Sequence, residues 1–437
     1  MNKIHRLVDN RHNLIPGGAH TYSKGDDQFP DLAPKVIARG KGAYVWDLYG
    51  HKFLDWCMGL RSVSLGHVYK TVNDAVVEQM EQGNNFGRPH LVEFELADLL
   101  VQTIPFVEMV KFAKNGSNTT TAAVKLSRAY TGRKYVAVCK DHPFFSFDDW
   151  FIGTTSCSTG VPKEVRNLSL TFGYNNAESL EKLFKKFPGQ IACVIMEVVT
   201  TEKPKGNFLK DVQDLCRKNG AVFILDEMIT GFRWHLKGAA YCYGLEPDLV
   251  TYGKGIANGY SVSVIGGKKE IMELGGIYHT KSPKVFLTST THGAETISLR
   301  AAIATIKEIH EKGVPDHFWR LGSLLKDGLE KKIKDKGLTG HIQVAGFAPN
   351  LSMVFKNHRG DISMPLKTLF LQEVVRRGIL FQGYFAISYS HNIEEIIKTL
   401  EVFDRVFDFY APFARGYKNW KEWLVGEPVK PVFRKEN

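Results

Sequence analysis

Two adjacent carboxylates follow a run of four apolar residues in VFILDEMITGFR, residues 222–233. The run from Val222 to Leu225 has the length and character of a buried strand, so Asp226 and Glu227 would stand at its end. A solvated turn would explain such a pair. A site that needs one fixed negative charge against a bound cation would explain it equally well.

A lysine stands between two glycines after another apolar run, in PDLVTYGKGIANGY. A sheet would hold the backbone of Lys254 while its amine reaches a cleft. An isolated GKG is more often an exposed turn. It is also not the phosphate-loop motif GxxxxGK(S/T), because Asp248 occupies the position of the first required glycine.

A third candidate is FAKNGSNTTTA, where strand-like MVKFAKN meets helix-like SNTTTAAVKLSRAY. Free N–H groups and the dipole at a helix N-terminus favour a phosphate, which Gly116, Ser117 and Asn118 would hold. An ordinary Ser or Asn N-cap has the same composition.

Taken together, the three stretches fit one phosphorylated pyridine cofactor. A buried Asp226 facing a pyridinium nitrogen would be worth about 5 kcal/mol before desolvation at an effective dielectric of about 20. That is several pKa units, enough to keep the ring protonated and able to accept electrons. The order of phosphate loop, carboxylate and then lysine is hard to obtain by accident.

These residues must be positioned by a sheet. From about residue 90, short apolar runs alternate with helical patterns, which predicts an α/β fold with a mostly parallel sheet covered on both faces. In such sheets ligands gather beyond the carboxyl ends of the strands. Residues 36–56 predict a small antiparallel meander with Gly42 and Gly50 at its turns.

After about residue 310 the chain changes to long charged helices around HIQVAGFAPNLSMVF. We therefore expect a large cofactor-binding domain over residues 60–310. A smaller α+β domain would combine residues 1–59, which contain the meander, with residues 311–437.

Composition limits the function classes. The chain has 57 Lys and Arg against 46 Asp and Glu, a net charge of +11, yet no basic block alternates with aromatics. We read the excess as a weak preference for anionic ligands and expect no nucleic-acid partner. No apolar run has membrane-spanning length, no secretory signal opens the sequence, and six cysteines occur singly. These features predict a cytoplasmic protein without a membrane or metal site.

The sequence resembles the fold-type I, class III pyridoxal-phosphate-dependent aminotransferases, and most closely the glutamate-1-semialdehyde 2,1-aminomutase branch. The resemblance covers nearly the whole chain. It rests on motifs in the family's order: NLIPGG, GAYVWDLYGHKFLDW, GH at 66–67, NNFGRPH, RAYTGR, DEMITGFR, GKGIANG and HGAETISLRAA.

The resemblance implies pyridoxal 5'-phosphate as cofactor and a role for each matching residue. Lys254 would bond the coenzyme and shuttle a proton, Asp226 would pair with the ring nitrogen, and Met228 would pack under the ring. Glu227 would either support the residues that contact the coenzyme or be structural. The remaining cofactor-binding residues would be Gly116, Ser117 and Asn118 at the phosphate, Phe144 stacked on the ring, and Glu197 on the hydroxyl side.

The resemblance also implies a homodimer with shared active sites. Thr290 or Thr291, in FLTSTTHGAET, matches a threonine that reaches the phosphate of the partner subunit's coenzyme.

Several positions depart from the family pattern. The usual Ser-Gly-Thr-Glu loop is replaced by NGSN, and the ring-stacking Tyr-His-Gly by FFS at residues 144–146. A substrate-binding arginine aligns with Lys24, a point charge in place of a bidentate fork. Arg61 and Arg88 stand where the aminomutase has uncharged residues. These changes favour an aminotransferase with an amino-acid donor such as glutamate and an anionic, sugar-like or keto/aldehyde acceptor.

Three alternatives stay open at this point. The first is the aminomutase itself, which returns the amino group to the same carbon skeleton. A short-chain dehydrogenase is indicated only by Tyr130 and Lys134, which match Y-x-x-x-K without a glycine-rich dinucleotide loop. A regulatory nucleic-acid-binding protein would rest on the net charge alone.

Overall fold

A computed structural model describes residues 3–280 and 283–435, which form two compact units. The larger unit comprises residues 62–64, 70–280, 283–316 and 435, and the smaller comprises residues 3–61, 65–69 and 317–434. Among the helices of these residues, none combines the length and apolar character needed to span a membrane.

The strands are β1 (Ile37–Lys41), β2 (Tyr44–Asp47), β3 (Lys52–Asp55), β4 (Met109–Ala113), β5 (Tyr135–Cys139), β6 (Ser169–Phe172), β7 (Ile191–Glu197), β8 (Val222–Asp226), β9 (Leu249–Tyr252), β10 (Ser263–Gly267), β11 (Ile342–Phe347), β12 (Asn350–Phe355), β13 (Ile379–Leu380) and β14 (Tyr384–Ala386).

The α-helices are α1 (Lys3–Asp9), α2 (Arg11–Leu14), α3 (Met58–Arg61), α4 (Lys70–Gln82), α5 (Leu91–Thr103), α6 (Gly116–Thr131), α7 (Asp149–Ile152), α8 (Lys163–Arg166), α9 (Ala177–Lys186), α10 (Phe208–Asn219), α11 (Ala239–Cys242), α12 (Lys269–Met272), α13 (Thr296–Glu311), α14 (Val314–Asp335), α15 (Met364–Arg376) and α16 (Ile393–Ala414).

The larger unit is built on a seven-stranded sheet with the order β4-β10-β9-β8-β7-β5-β6. Strands β9, β8, β7, β5 and β6 pair in parallel, whereas β10 is antiparallel to both β9 and β4. Every residue of β7, β8 and β9 is buried, as expected for parallel strands covered on both faces. The predicted α/β class with a mostly parallel sheet is confirmed.

The register of the central strands places their polar ends side by side. Glu197, the last residue of β7, is paired with Asp226, the last residue of β8. Asp226 is in turn paired with Thr251 of β9. The chain leaves β9 through Gly253 into a 3-10 turn over Lys254–Ala257. The functional residues predicted from the sequence at β7, β8 and β9 therefore lie at the carboxyl edge of this sheet.

The smaller unit contains two small sheets. The predicted meander forms β1, β2 and β3, with left-handed Gly42 (φ 58°) and Gly50 (φ 86°) at its turns. The C-terminal strand β13 adds to it in parallel with β3, and β11, β12 and β14 form an antiparallel sheet. Aromatic side chains from both long C-terminal helices pack beside this sheet, including Phe370 of α15 and Phe403 of α16, whose ring centroids lie 5.2 Å apart.

Candidate active site

Asp226 is a buried carboxylate at the carboxyl end of β8. Its side chain is 2% exposed, and its Oδ1 accepts a hydrogen bond of 2.9 Å from the Met228 N–H. Burial raises the pKa of Asp226, and this effect outweighs the lowering by the Met228 N–H and by the positive charge of Lys254. A carboxylate whose charged form is destabilised by burial is well suited to pair with a cation.

Glu227, the second carboxylate of the pair, has a structural role, as expected. It is fully buried, and it accepts hydrogen bonds from the N–H groups of Ala239 (2.9 Å) and Ala240 (2.7 Å) at the start of α11 and from the Thr230 hydroxyl. These three donors compensate for its burial. Glu227 therefore anchors α11 to the end of β8.

Met228 connects the phosphate loop, the carboxylate and the lysine. A Cβ added at Gly253, the residue before Lys254, would lie 2.6 Å from the Met228 Sδ. A Cβ added at Gly116, the first residue of α6, would lie 3.1 Å from the same sulfur. The three stretches that the sequence analysis singled out thus meet around one side chain.

Lys254 has a constrained backbone. Its φ of 45° lies in the left-handed region that residues other than glycine rarely adopt. Such a conformation costs about 1–2 kcal/mol and persists only where the surrounding structure imposes it. The buried strand β9 before it supplies that constraint.

The N-terminus of α6 has the features of an anion-binding end. Asn115 is its N-cap, with its Oδ1 accepting from the Asn118 N–H at 3.1 Å. The Ser117 hydroxyl accepts a hydrogen bond of 3.1 Å from the Phe147 N–H. The first N–H groups of a helix have no intrahelical acceptor, so those of Gly116 and Ser117 are oriented for a phosphate.

The segment around Phe144 is held against α6. The Phe145 carbonyl accepts from the Thr120 hydroxyl at 2.8 Å, and the Trp150 Nε1–H donates to the Thr121 hydroxyl at 2.8 Å. Phe145 is buried, whereas Phe144 is 45% exposed. The backbone next to Phe144 is therefore fixed to α6, while the Phe144 ring itself packs edge-on against Phe151 with 5.8 Å between the centroids.

Glu197 lies at the end of β7 with only 5% of its side chain exposed. Its backbone N–H donates to the Nδ1 of His142 at 2.9 Å. His142 could not be predicted from the sequence, because a single histidine after an apolar strand carries no recognisable signal. Only the folded chain places His142 next to Glu197, which is paired with Asp226.

Thr290, Thr291 and Arg88 lie together in the larger unit. They line one cavity of about 260 Å³, together with Asn85, Phe86, Gly87, Pro89, His90, Glu93, Ala294 and Thr296. Of the described residues, those that line this cavity do not include Lys254 or Asp226. This cavity therefore does not by itself connect the two threonines with the lysine and the carboxylate.

Lys24 and Arg61 lie in the smaller unit. Lys24 is exposed at the end of a 3-10 turn. Arg61 has a left-handed backbone (φ 72°), its guanidinium lies 3.7 Å over the Tyr384 ring, and its Nε donates to the Asn350 Oδ1 at 2.6 Å. Arg61 is thus held in one orientation, which a solvated arginine would not be.

The residues of the larger unit fit pyridoxal 5'-phosphate. The N-terminus of α6 suits its phosphate, the buried Asp226 suits its ring nitrogen, and Met228 lies between the two. Lys254 follows within the same cluster. The donor set contains one group for each chemical feature of the coenzyme.

Comparisons with known proteins identify the family of this chain. A family model described as "Aminotransferase class-III" matches residues 23–386. The glutamate-1-semialdehyde 2,1-aminomutase of Thermus thermophilus is 32% identical over 415 residues, which cover 89% of this chain and 95% of that protein. The aminomutase of Natranaerobius thermophilus is 29% identical over 414 residues, covering 90% and 95%.

Solved structures share the fold. The FumI protein of a Sphingopyxis species, in its PLP internal aldimine form, matches with a TM-score of 0.84 and 24% identity over 93% of this chain and 96% of its own. An omega-transaminase from Sphaerobacter thermophilus matches with a TM-score of 0.85 and 22% identity over 94% and 98%.

Proposed function

Because this chain belongs to the class III aminotransferase family and is a pyridoxal-phosphate-dependent transaminase, we propose that it moves an amino group between two molecules. The donor is an amino acid such as glutamate. The acceptor is an anionic carbonyl compound, such as a phosphorylated, carboxylated or nucleotide-linked sugar. The coenzyme site is supported chiefly by the position of Met228, whose sulfur occupies the space where a Cβ at either Gly116 or Gly253 would lie, next to Asp226.

Pyridoxal 5'-phosphate, when bound, supplies an electron sink that makes the Cα proton of the amino donor acidic. Lys254 would hold the coenzyme and would move the proton at the donor Cα. General acid–base transfer of this kind contributes roughly 10²–10⁴-fold to the rate. Asp226 keeps the ring nitrogen protonated, and its raised pKa in the free protein is the cost that the pyridinium offsets.

The other site residues orient the coenzyme. Gly116, Ser117 and Asn118 would hold its phosphate at the N-terminus of α6, and Phe144 and Met228 would pack against its ring. Glu197 would lie on the hydroxyl side of the ring. The exposure of Phe144 and the capped start of α6 support these roles.

We also infer a homodimer in which Thr290 or Thr291 contacts the phosphate of the partner's coenzyme. The placement of both threonines at an exposed cavity of the larger unit supports this arrangement. Light scattering of the holoenzyme measures the mass, and a monomer at assay concentration would contradict it.

Lys24, Arg61 and Arg88 supply positive charge for the acceptor. The strained backbone of Arg61 and its contacts with Tyr384 and Asn350 support a fixed cation, because immobilising an arginine in advance reduces the entropy lost on binding. The net charge of +11 acts in the same direction at longer range.

Steady-state kinetics with sugar phosphates, oxo acids and nucleotide-linked keto sugars test this proposal. Arg61→Ala and Arg88→Ala should raise the acceptor KM about tenfold or more while the coenzyme affinity stays unchanged, since a hydrogen bond to a charged group is worth about 1.5–3 kcal/mol. The exposed Arg359→Ala is the matched control. Wild-type kinetics in both variants would refute the role of charge.

The aminomutase is the second candidate, favoured by the 32% identity with the Thermus thermophilus enzyme. It requires no second substrate. Turnover of glutamate 1-semialdehyde alone by the purified enzyme would therefore decide for the aminomutase and against the intermolecular reaction.

A further inference from the structure

His142 is a buried histidine at the carboxyl edge of the large sheet. It is 4% exposed and packs against Tyr174, with 5.0 Å between the ring centroids. Its Nδ1 accepts the hydrogen bond from the Glu197 N–H at 2.9 Å. Burial lowers the pKa of His142 to about 3, so the ring is neutral. Since Nδ1 is the acceptor, the ring proton must be on Nε2.

The Nε2–H of this ring has no acceptor among the described residues. A buried donor without an acceptor is costly, and most such groups in folded proteins meet a ligand or an ordered water. The other ring nitrogen places this histidine beside the candidate coenzyme site. His142 is hydrogen-bonded to the backbone of Glu197, and Glu197 is paired with Asp226 on the neighbouring strand.

We propose that the Nε2–H of His142 donates a hydrogen bond to the ring hydroxyl oxygen of pyridoxal phosphate. This inference rests on the proposed function, which puts the coenzyme's hydroxyl side at Glu197. His142 is then a cofactor-positioning residue with its tautomer set in advance. Its Nδ1 is satisfied within the chain, and its Nε2–H completes the site only when the coenzyme is bound.

Such a donor has a spectroscopic consequence. Negative charge on the ring oxygen stabilises the proton on the nitrogen that joins Lys254 to the coenzyme. A hydrogen bond to that oxygen withdraws charge, so this proton leaves at a lower pH. The pH midpoint of the coenzyme's visible absorption band therefore reports the bond directly and needs no substrate.

The surroundings of His142 leave this titration interpretable. Burial raises the pKa of Cys139 to about 12 and also raises the pKa of Tyr174. Neither group changes its charge between pH 5 and 9. The nearby carboxylates Asp141, which accepts from the Tyr174 N–H, and Glu197 are retained in every variant.

The test compares holoenzyme variants by their band midpoint and by their dissociation constant for the coenzyme. His142→Phe should raise the midpoint by about one pH unit and weaken coenzyme binding about tenfold, the equivalent of one hydrogen bond. His142→Gln keeps a donor and an acceptor and should restore both values to near wild type. An unchanged midpoint in His142→Phe overturns the inference.

Tyr174→Phe is the matched control. It removes a hydrogen bond of 3.0 Å to the Val198 carbonyl at the same strand end but leaves the imidazole in place. A midpoint shift in this variant equal to that of His142→Phe would reveal a merely structural effect and overturn the proposal. If His142→Phe does not fold, the Nε2–H proton resonance of the wild type, assigned by its loss in His142→Gln, replaces it. That resonance should move downfield on coenzyme addition, and an unchanged resonance also overturns the inference.

The results distinguish a failure of this inference from a failure of the proposed function. A wild-type protein that takes up no coenzyme and shows no visible band refutes the coenzyme site as a whole. A wild-type protein with a normal band, together with an unshifted His142→Phe variant, refutes only the role of His142.

Discussion

Gly253→Ala is predicted to disturb the coenzyme site through packing alone. The added Cβ would lie 2.6 Å from the Met228 Sδ, whereas ordinary contacts of this kind lie at 3.4–4 Å. One of the two groups must move by about 1 Å, and the backbone of Gly253 is extended (φ −179°), so alanine introduces no dihedral strain. Overpacking of this size costs about 1–3 kcal/mol.

The free-energy cost of this overpacking should weaken coenzyme binding as well as reduce the stability of the fold. Met228 also contacts Gly116, so its displacement acts on the N-terminus of α6. If the full 1–3 kcal/mol falls on the bound state, the dissociation constant for pyridoxal phosphate rises about 5- to 150-fold. Titration of the apo-protein followed by absorbance measures this constant, and urea unfolding measures the change in stability.

Two further variants make the reasoning refutable. Met228→Ala in the Gly253→Ala background makes room for the new methyl group, so the two effects should be non-additive by about 1 kcal/mol or more. Gly340→Ala is the control, because a Cβ there meets nothing within 4 Å. A Gly253→Ala protein that matches Gly340→Ala in both affinity and stability would refute the packing argument.

Three other outcomes are expected. Glu227→Gln replaces an acceptor of backbone N–H groups by a donor and should reduce the unfolding free energy by about 1–3 kcal/mol, unlike the exposed Glu178→Gln; equal stability of the two would contradict it. Thr120→Val removes the hydroxyl that holds the segment before α7 and should weaken coenzyme binding several-fold, whereas Thr120→Ser should not; equal losses in both would exclude the hydrogen bond as the cause. Burial lowers the pKa of His391 to about 4, so the neutral ring stabilises the fold fully above pH 6.5, and this contribution is lost as the pH falls from 6.5 to about 4. His391→Gln should therefore flatten the unfolding free energy over that window by up to about 3 kcal/mol, while the exposed His358→Gln should leave the slope unchanged.

Much of the fold could be predicted because it is encoded locally. The apolar runs at β7, β8 and β9 and the helical patterns between them indicated a parallel sheet, and the meander was indicated by alternation around two glycines. The antiparallel strand β10 was not identified. Its sequence ends in two glycines, and its place between β4 and β9 depends on pairing with residues about 150 positions earlier in the chain.

The candidate site likewise has features that could be predicted from the sequence and features that could not. The residue types and order of NGSN, DEMITG and GKG, with the family resemblance, determined the coenzyme and the reaction class from the sequence alone. The family resemblance assigned different roles to Asp226 and Glu227, which two adjacent carboxylates of similar chemistry do not reveal by themselves. Only the tertiary structure decided that Glu227 accepts hydrogen bonds from the N–H groups of α11. It also decided that the Met228 sulfur lies beside Gly116 and Gly253, and that His142 is hydrogen-bonded to Glu197. The physical reason is that strand ends and turns follow from neighbouring residues, whereas a side chain's partner follows from contacts between distant parts of the chain.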